Sequence, residues 1–422
     1  MMRSHRIRRA GLACTAAALL GLGAACSGNS GLGRNPIAAP ADNVAELTVD
    51  FGAPGVRYLN GLFTTVTVCV PGTSDCRDID HVLVDTGSAG LRVLKSVLTL
   101  SLPAATDDSG AVLAECTQFV DSFIWGPLAI ADLRMAGEQA NNLTIQVIDE
   151  MTYPVPSDCT GFSANTAQGL GSNGILGIST FLQDCGSACA EPVGAKSSNP
   201  GMYYACASTT VGGCQATAVP VSKQASNPVA LFSQDNNGTI VELPSIPADG
   251  APSVTGSLVF GIGTRENNAL DGATVMRVSK WGGTFKTTYP ANGNPALAFV
   301  DTGSNGIYFL DSNTTHIPTC SNPYSVFYCP GSTLNLSAKN QENSGVVTRT
   351  VNFSIASAAA LLADRTNSAF ANLGGPSIDP QSGTSLMGAY FDWGLPFYFG
   401  RNVFTALEDQ STPAGVGPLV AF

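Results

Sequence analysis

An internal repeat constrains the fold of this chain more than any other feature of its sequence. Residues 84–94 read VDTGSAGLRVL and residues 300–310 read VDTGSNGIYFL, so Asp301 follows Asp85 by 216 residues (301 − 85). Each copy comes at the end of an apolar, strand-like run. A given tetrapeptide occurs by chance at ~10⁻⁵ per position. Two identical copies in matching contexts therefore indicate a duplication, with one copy in each of two related lobes.

The two halves of the sequence also match outside the DTGS motif, although less exactly. The segment NGILGI at 173–178 follows the first copy by about ninety residues, and FYFG at 397–400 follows the second copy at a similar interval. Each half is therefore predicted to run as a strand, a DTGS turn, further strands and an apolar–apolar–Gly segment. With 46 Gly, 25 Pro and only 12% charged residues, the composition also favours short strands and turns. We predict an all-β fold with two lobes, pseudo-twofold symmetry and a cleft between the lobes.

The two aspartates are candidates for acid–base chemistry. If the duplication brings Asp85 and Asp301 together near the pseudo-twofold axis, the two like charges disfavour double ionisation and the pair shares a proton. One carboxylate can then take a proton from water while the other acid gives a proton to a carbonyl oxygen. The glycines let the backbones approach, the serine hydroxyls orient the carboxylates and the threonines bind the opposite lobe. These supporting residues are Thr86, Gly87, Ser88, Thr302, Gly303 and Ser304.

Paired D-T-G-S/T motifs, each followed by an apolar–apolar–Gly segment, resemble the pepsin-like aspartic peptidases. The resemblance extends from about residue 56 to residue 422 and includes segments at 256–261, 399–404 and 415–420. It implies a two-lobed acid protease fold, an endopeptidase activity on protein or peptide substrates, and no metal or organic cofactor. The paired DTGS motifs together with the Asn-Pro-Val at 227–229 also resemble an uncharacterised family of exported bacterial lipoproteins.

The sequence departs from the peptidase pattern in three places. The family's substrate-covering flap carries a Tyr in a Gly-rich turn, but no Tyr lies near Val120, so Phe119 and Trp125 are the nearest candidates for flap aromatics. Arg92 stands where the family has a Trp after the first motif. The Cys-rich stretch near 185–214 is predicted to be an insertion in the first lobe.

The start of the chain is predicted to direct export. Residues 1–25 combine four Arg with an apolar run of about 16 residues, shorter than the ~20 residues that span a bilayer, and therefore indicate a signal peptide. Small residues precede Cys26, as at a lipoprotein cleavage site. We expect a flexible tether at 26–45, an N-terminal lobe at 46–225 and a C-terminal lobe at 226–422. The expected location is the cell envelope, as an outer-membrane lipoprotein or a periplasmic protein, with membrane contact only through the lipid.

The cysteine count also fits an exported protein. Of 12 Cys, ten remain after Cys14 and Cys26 are set aside, and an even number in an exported chain favours disulfides. With two His left in the mature chain and no CxxC motif, the ligands for a zinc site are lacking. Four pairs are close in sequence and a fifth remains: Cys69/Cys76, Cys185/Cys189, Cys206/Cys214, Cys320/Cys329 and Cys116/Cys159.

Charge and motifs narrow the function classes. The formal net charge is −11 (20 − 31), which argues against a nucleic-acid partner. No G-x-S-x-G motif occurs, which argues against a serine hydrolase. The predicted function, which the paired aspartates and the resemblance to pepsin-like peptidases imply, is that of an aspartic endopeptidase, expected to act as a monomer. The alternative is a catalytically inactive binding lipoprotein of the envelope that keeps the pepsin-like fold.

Overall fold

The computed structural model describes residues 37–120, 122–194, 197–290, 293–377 and 390–422. The predicted signal peptide, Cys26 and the tether up to residue 36 lie outside the described residues. The strands that precede the middle of the chain are β1 (Val44–Asp50), β2 (Gly61–Cys69), β3 (Cys76–Asp85), β4 (Ala89–Leu94), β5 (Val112–Gln118), β6 (Ser122–Met135), β7 (Glu138–Ile148), β8 (Phe162–Ser163), β9 (Gly174–Ile178), β10 (Tyr203–Cys206) and β11 (Cys214–Ala216).

The second half is built in the same way from short strands. These are β12 (Gly238–Leu243), β13 (Val254–Phe260), β14 (Val275–Arg277), β15 (Phe285–Thr288), β16 (Pro295–Val300), β17 (Ile307–Phe309), β18 (Leu334–Gln341), β19 (Thr348–Ile355), β20 (Gly374–Gly375), β21 (Tyr390–Trp393), β22 (Arg401–Ala406), β23 (Ser411–Thr412), β24 (Gly415–Val416) and β25 (Leu419–Ala421). The described helices have one turn each: α1 (Ala167–Leu170), α2 (Ser187–Ala190), α3 (Ser312–Thr315) and α4 (Ala358–Leu361).

The sequence repeat corresponds to a repeated three-strand unit. In the first lobe, β9 runs parallel to β3 and antiparallel to β4. In the second lobe, β21 runs parallel to β16 and antiparallel to β17. Each DTGS motif is therefore the turn between the first two strands of its unit, and a third strand holds both of them. This arrangement places the two aspartates at equivalent positions.

The register of these units corrects one sequence prediction. Asp85 is the partner of Gly177, and Val300 is the partner of Trp393, so the residue opposite Asp301 is Gly394. The second-lobe counterpart of the first apolar–apolar–Gly segment is therefore 392–394 and not 397–400, and the resemblance assigned to 399–404 shifts with it. The apolar–apolar–Gly pattern is not visible in the second-lobe sequence, because Asp392 occupies the position at which the first lobe has the apolar Ile175.

One long sheet joins the two lobes. Its strands run in the order β11-β10-β5-β6-β7-β4-β9-β3-β2-β1-β13-β12-β22-β25-β14, so β1 of the first half pairs with β13 of the second. A separate seven-stranded sheet completes the second lobe, and the predicted lobe boundary at 225/226 falls between β11 and β12. The backbone N–H of Ala38 donates to Glu242 Oε2 at 2.6 Å, and β1 begins at Val44. Residues 38–45, predicted as the end of a flexible tether, are therefore packed against the second lobe.

Five disulfides join all ten remaining cysteines, in the predicted pairing. Two of them close loops in the stretch near 185–214, where β10 pairs with β5 and so widens the first-lobe sheet. Disulfides in this number are typical of the extracellular space or the periplasm. Among the described residues, no helix has the length and apolar character needed to cross a bilayer.

Candidate active site

Two threonines hold the DTGS turns together across the lobe boundary. The backbone N–H of Thr86 donates to Thr302 Oγ1 at 3.1 Å, and the backbone N–H of Thr302 donates to Thr86 Oγ1 at 3.0 Å. Each hydroxyl also donates to the carbonyl oxygen that precedes the opposite aspartate, at 2.6 Å to Val84 and 3.2 Å to Val300. Both threonines are buried. The threonine contacts expected from the sequence are therefore present and reciprocal.

The threonine contacts bring the two aspartates together. The carboxyl groups of Asp85 and Asp301 each lie against the glycine of the opposite motif and face each other. Asp85 Oδ1 accepts the N–H of Gly87 at 2.7 Å, and Asp301 Oδ1 accepts the N–H of Gly303 at 2.8 Å. The outer oxygen of each carboxylate accepts a serine hydroxyl, from Ser88 to Asp85 and at 2.9 Å from Ser304 to Asp301. The predicted supporting residues thus surround the pair symmetrically.

The two motif glycines are required by this close approach. A Cβ atom on Gly87 would lie 2.9 Å from Asp301 Cγ, and one on Gly303 would lie 2.7 Å from Asp85 Oδ1. Real Cβ atoms essentially never come this close to another atom. Each glycine therefore makes room for the aspartate of the other lobe.

The electrostatics of the pair favour one retained proton. Burial and the negative charge of Asp85 raise the pKa of Asp301 to about 8. The hydrogen bonds from Ser304 and the Gly303 N–H oppose this rise. Asp301 thus keeps its proton in neutral and acidic solution. Among the described residues, no group of three or more His, Cys, Asp or Glu has a geometry that could hold a metal ion.

Two neighbours of the pair were not found by sequence reasoning. The Tyr398 hydroxyl lies 2.9 Å from Thr86 Oγ1 and is fully buried beneath the first motif. The buried Asn60 side chain donates to the backbone oxygens of Asn305 (2.8 Å) and Phe370 (2.9 Å), and so ties the start of β2 to the second lobe. Asn60 belongs to no motif, and Tyr398 lies in the 397–400 segment whose assignment the strand register corrects, so only their positions in space reveal both contacts.

Arg92 forms a buried ionic cluster instead of the aromatic contact of the resembled family. Its guanidinium lies 3.1 Å from Glu115 Oε1 and 3.0 Å from Asp184 Oδ2, and it donates to the Ala89 carbonyl oxygen at 2.6 Å. Burial alone would lower the pKa of Arg92, but the charges of Glu115 and Asp184 raise it. Because Ala89 follows the first motif and Glu115 is on β5, the cluster fixes the β5–β6 hairpin relative to Asp85.

The β5–β6 hairpin shows that one of the two predicted flap aromatics, Trp125, was assigned wrongly. Trp125 is fully buried: it packs edge-on against Tyr204 with ring centroids 5.2 Å apart, and its indole N–H donates to the Tyr153 carbonyl oxygen at 2.8 Å. A side chain so enclosed cannot contact a substrate, so Trp125 is not a flap residue. Phe119 lies in the hairpin turn, partly buried against a cluster that includes Ile175.

A pocket of about 370 Å³ opens beside the pair. Gly87 of the first motif lines it on one side, and the apolar side chains of Trp281, Leu297, Phe299 and Tyr390 line the other. Trp281 is 94% exposed and stands at the rim. The pocket is therefore mainly apolar, reaches Thr86 and Gly87 of the first motif, and is lined by residues of both lobes.

The comparisons with known proteins agree with this architecture. A family model described as "Protein of unknown function (DUF3443)" matches residues 39–422. The chain belongs to this family. No curated protein matches the DUF3443 chain. Among solved structures it is similar to the crystal structure of an aspartic proteinase from Irpex lacteus, with a TM-score of 0.50, 13% identity, and coverage of 90% of this chain and 96% of that chain.

At this identity the structural similarity shows the fold alone. The DUF3443 chain has the two-lobed, nearly all-β, pepsin-like fold that the repeat predicted, and that prediction is confirmed.

Proposed function

We propose that this protein is an aspartic endopeptidase that acts through Asp85 and Asp301. One observation carries the proposal: two aspartates with the same sequence surroundings, one from each lobe, face each other beside two threonines that bind reciprocally across the lobe boundary. Carboxyl pairs that share one proton are suited to general acid–base catalysis, since one member is a base while the other is an acid.

In the proposed reaction a water molecule lies between the two carboxyl groups. Asp85 takes a proton from the water, the water oxygen bonds to the peptide carbonyl carbon, and Asp301 gives its proton to the carbonyl oxygen. The intermediate is a neutral gem-diol. Asp85 then gives the acquired proton to the amide nitrogen, the C–N bond breaks, and Asp301 regains a proton from a hydroxyl of the gem-diol. Both aspartates end in their starting protonation states, and the proposed reaction uses no metal or organic cofactor.

The pocket and the disulfides support the proposed substrate and location. The apolar walls around Trp281 and Phe299 would receive an apolar side chain of an extended peptide in the cleft. We further propose that residues 1–25 direct export, that Cys26 becomes the lipidated N-terminus, and that the monomeric protein cleaves proteins or peptides in the cell envelope. The disulfides agree with that compartment.

The test uses protein that begins at Ser27, as wild type, Asp85→Asn and Asp301→Asn. Asp108→Asn is the matched control, because its side chain is 98% exposed and distant from the motifs in sequence. Each protein is incubated with denatured proteome peptides from pH 3 to 8, and new peptide ends are read by mass spectrometry. We expect cleavage by wild type and Asp108→Asn, and none by the two dyad variants. Absence of cleavage by folded wild type at every pH would overturn the proposal.

The second candidate is an inactive binding protein with the same fold. It is favoured by the β5–β6 hairpin, whose turn at Phe119 and Val120 has no tyrosine and whose Trp125 is fully buried against Tyr204. Under this alternative, wild type and Asp85→Asn bind extended peptides equally well and neither cleaves them. Isothermal titration with peptides captured from an envelope extract measures that binding.

A further inference from the structure

One tryptophan of this chain stands in water at the rim of the pocket beside the first motif. Of the three Trp in the sequence, Trp125 and Trp393 are fully buried, whereas Trp281 is 94% exposed. Trp281 lies between β14 and β15 in residues 279–284, which we call the Trp281 turn. A large aromatic side chain stabilises a fold through the area that it buries, so this indole contributes almost nothing to the core.

The backbone of the Trp281 turn is held by its own hydrogen bonds. The N–H of Ser279 donates to the Thr284 carbonyl oxygen at 2.8 Å, and the N–H of Gly283 donates to the Ser279 carbonyl oxygen at 2.9 Å. The N–H of Trp281 donates to Ser279 Oγ at 3.2 Å. Exposed side chains change rotamer within nanoseconds, so the indole can reach a ligand without a change in the fold.

The Trp281 turn also meets the first lobe. A Cβ atom on Gly283, whose φ is +61°, would lie 3.1 Å from Thr180 Oγ1 and 3.6 Å from the Phe181 ring. This first-lobe segment is tied to the first motif, because the N–H of Ser179 donates to the Ser88 carbonyl oxygen at 2.9 Å. The turn and the segment therefore form two adjoining walls of the pocket, one from each lobe.

An apolar row runs along the second-lobe wall of the pocket. Leu297 and Phe299 of β16 come four and two residues before Asp301, and alternate residues of a strand lie on the same face. Tyr390 is the partner of Leu297 on β21, and its ring centroid is 5.9 Å from that of Phe299. A peptide side chain in the pocket would therefore meet apolar groups along this wall and water at the rim, where Trp281 stands.

The β5–β6 hairpin does not supply a cover for this pocket. In its turn, Phe119 packs against a cluster that includes Ile175, and Val120 has no aromatic ring. None of the described residues that line the pocket belongs to this hairpin. The exposed aromatic ring beside the pocket is instead that of Trp281, on the opposite lobe.

We propose that Trp281 determines the specificity of this pocket by covering it from the second lobe. When an extended peptide binds in the cleft, a large apolar side chain enters the pocket and the indole turns onto it. Both groups then leave water, and the contact with the aromatic face adds to the gain. A small or charged side chain leaves the indole exposed, so it binds more weakly. Binding of this kind needs no catalysis, whereas its effect on cleavage rests on the proposed function.

The first test uses the tryptophans themselves. Because Trp125 and Trp393 are fully buried, iodide quenches the fluorescence of Trp281 alone. Protein that begins at Ser27 and carries Asp301→Asn is titrated with the blocked peptide Ser-Ala-Thr-Ala-Phe-Ala-Thr-Ala-Ser, and with the same peptide in which Ala replaces Phe. We expect saturating Phe peptide to lower the quenching constant about twofold or more, and the Ala peptide to leave it unchanged. Equal quenching with and without the Phe peptide would overturn the proposal.

Substitutions at the rim separate a cover from a passive neighbour. In the Asp301→Asn protein, Trp281→Ala should weaken binding of the Phe peptide about 10-fold and of the Ala peptide less than about 2-fold, read by fluorescence anisotropy of labelled peptides. Trp281→Phe keeps an aromatic face and should recover most of the affinity. Val346→Ala is the matched control, because Val346 is 82% exposed on the same lobe and outside the pocket. Equal affinity for the Phe peptide with and without Trp281→Ala contradicts the covering role.

Activity separates this inference from the proposed function. If protein with both aspartates cleaves the two peptides, Trp281→Ala should reduce the ratio of their kcat/KM values, Phe over Ala, by about 10-fold. An unchanged ratio contradicts the role of Trp281 and leaves the peptidase proposal in place. If no protein cleaves either peptide but binding of the Phe peptide depends on Trp281, the peptidase proposal fails and the cover stands.

Discussion

The reciprocal threonine contacts can be tested by the substitution Thr302→Val, which keeps the shape of the side chain and removes its hydroxyl. The hydroxyl accepts the backbone N–H of Thr86 at 3.1 Å and donates to the Val84 carbonyl oxygen at 2.6 Å, and Thr302 is fully buried. The variant therefore leaves a buried N–H without a partner and loses one further hydrogen bond. Together these losses should lower the free energy of unfolding by about 2–4 kcal/mol.

The assay is urea unfolding at pH 6 with the disulfides intact, followed by tryptophan fluorescence. The corresponding loss in melting temperature is about 2–5 °C, because the entropy of unfolding grows with the length of the chain. Thr302→Ser is the matched control: it keeps both hydrogen bonds, loses one methyl group and should cost only about 1 kcal/mol. Equal unfolding free energies for Thr302→Val and Thr302→Ser would refute the reasoning, because the hydroxyl would then contribute nothing to the junction of the lobes.

Three further predictions concern the same region. Gly303→Ala places a Cβ atom 2.7 Å from Asp85 Oδ1, so kcat/KM in the peptide assay should fall by about 100-fold. Gly331→Ala is the control: a Cβ atom there has no other atom within 4 Å, so the variant should keep full activity. Arg92→Leu leaves two buried carboxyl groups without their cation, and urea unfolding should show a loss of about 3–5 kcal/mol; a loss below about 1 kcal/mol would contradict the buried cluster. Because the pKa of Asp301 is raised to about 8 in the folded protein and lies near ~4 in an unfolded chain, the folded state holds more protons between these values. Stability should therefore fall as the pH rises from 4 to 8, and urea midpoints of Asp301→Asn should show a smaller fall over that range.

The buried Arg92 cluster shows that a residue outside the family pattern can still hold the β5–β6 hairpin next to the first motif. An aromatic residue after the first motif would hold the hairpin by packing, whereas Arg92 holds it through Glu115 on β5 and the Ala89 carbonyl oxygen. Such an ion pair is costly to break, because removal of the cation leaves buried negative charge. Sequence reasoning recorded the substitution but could not find its partners, which are 23 and 92 residues away along the chain.

The sequence by itself determined the fold class, the two lobes, the disulfide pairing and the identity of the two facing aspartates. These features are readable because they repeat or are local: the DTGS motif occurs twice, and four of the five disulfides join cysteines at most nine residues apart. A duplicated motif implies equivalent positions, so Asp85 and Asp301 could be paired without coordinates.

Only the tertiary structure decided which residues surround that pair. Tyr398 was hidden in a segment that resembled the wrong motif, and Trp125 was assigned to the flap because its burial depends on Tyr204, far along the chain. Asp392 was missed because an aspartate breaks the apolar pattern that would have identified β21. Its place opposite Phe299 depends on strand register, and register is set by contacts between strands that lie more than 90 residues apart, which no local pattern encodes.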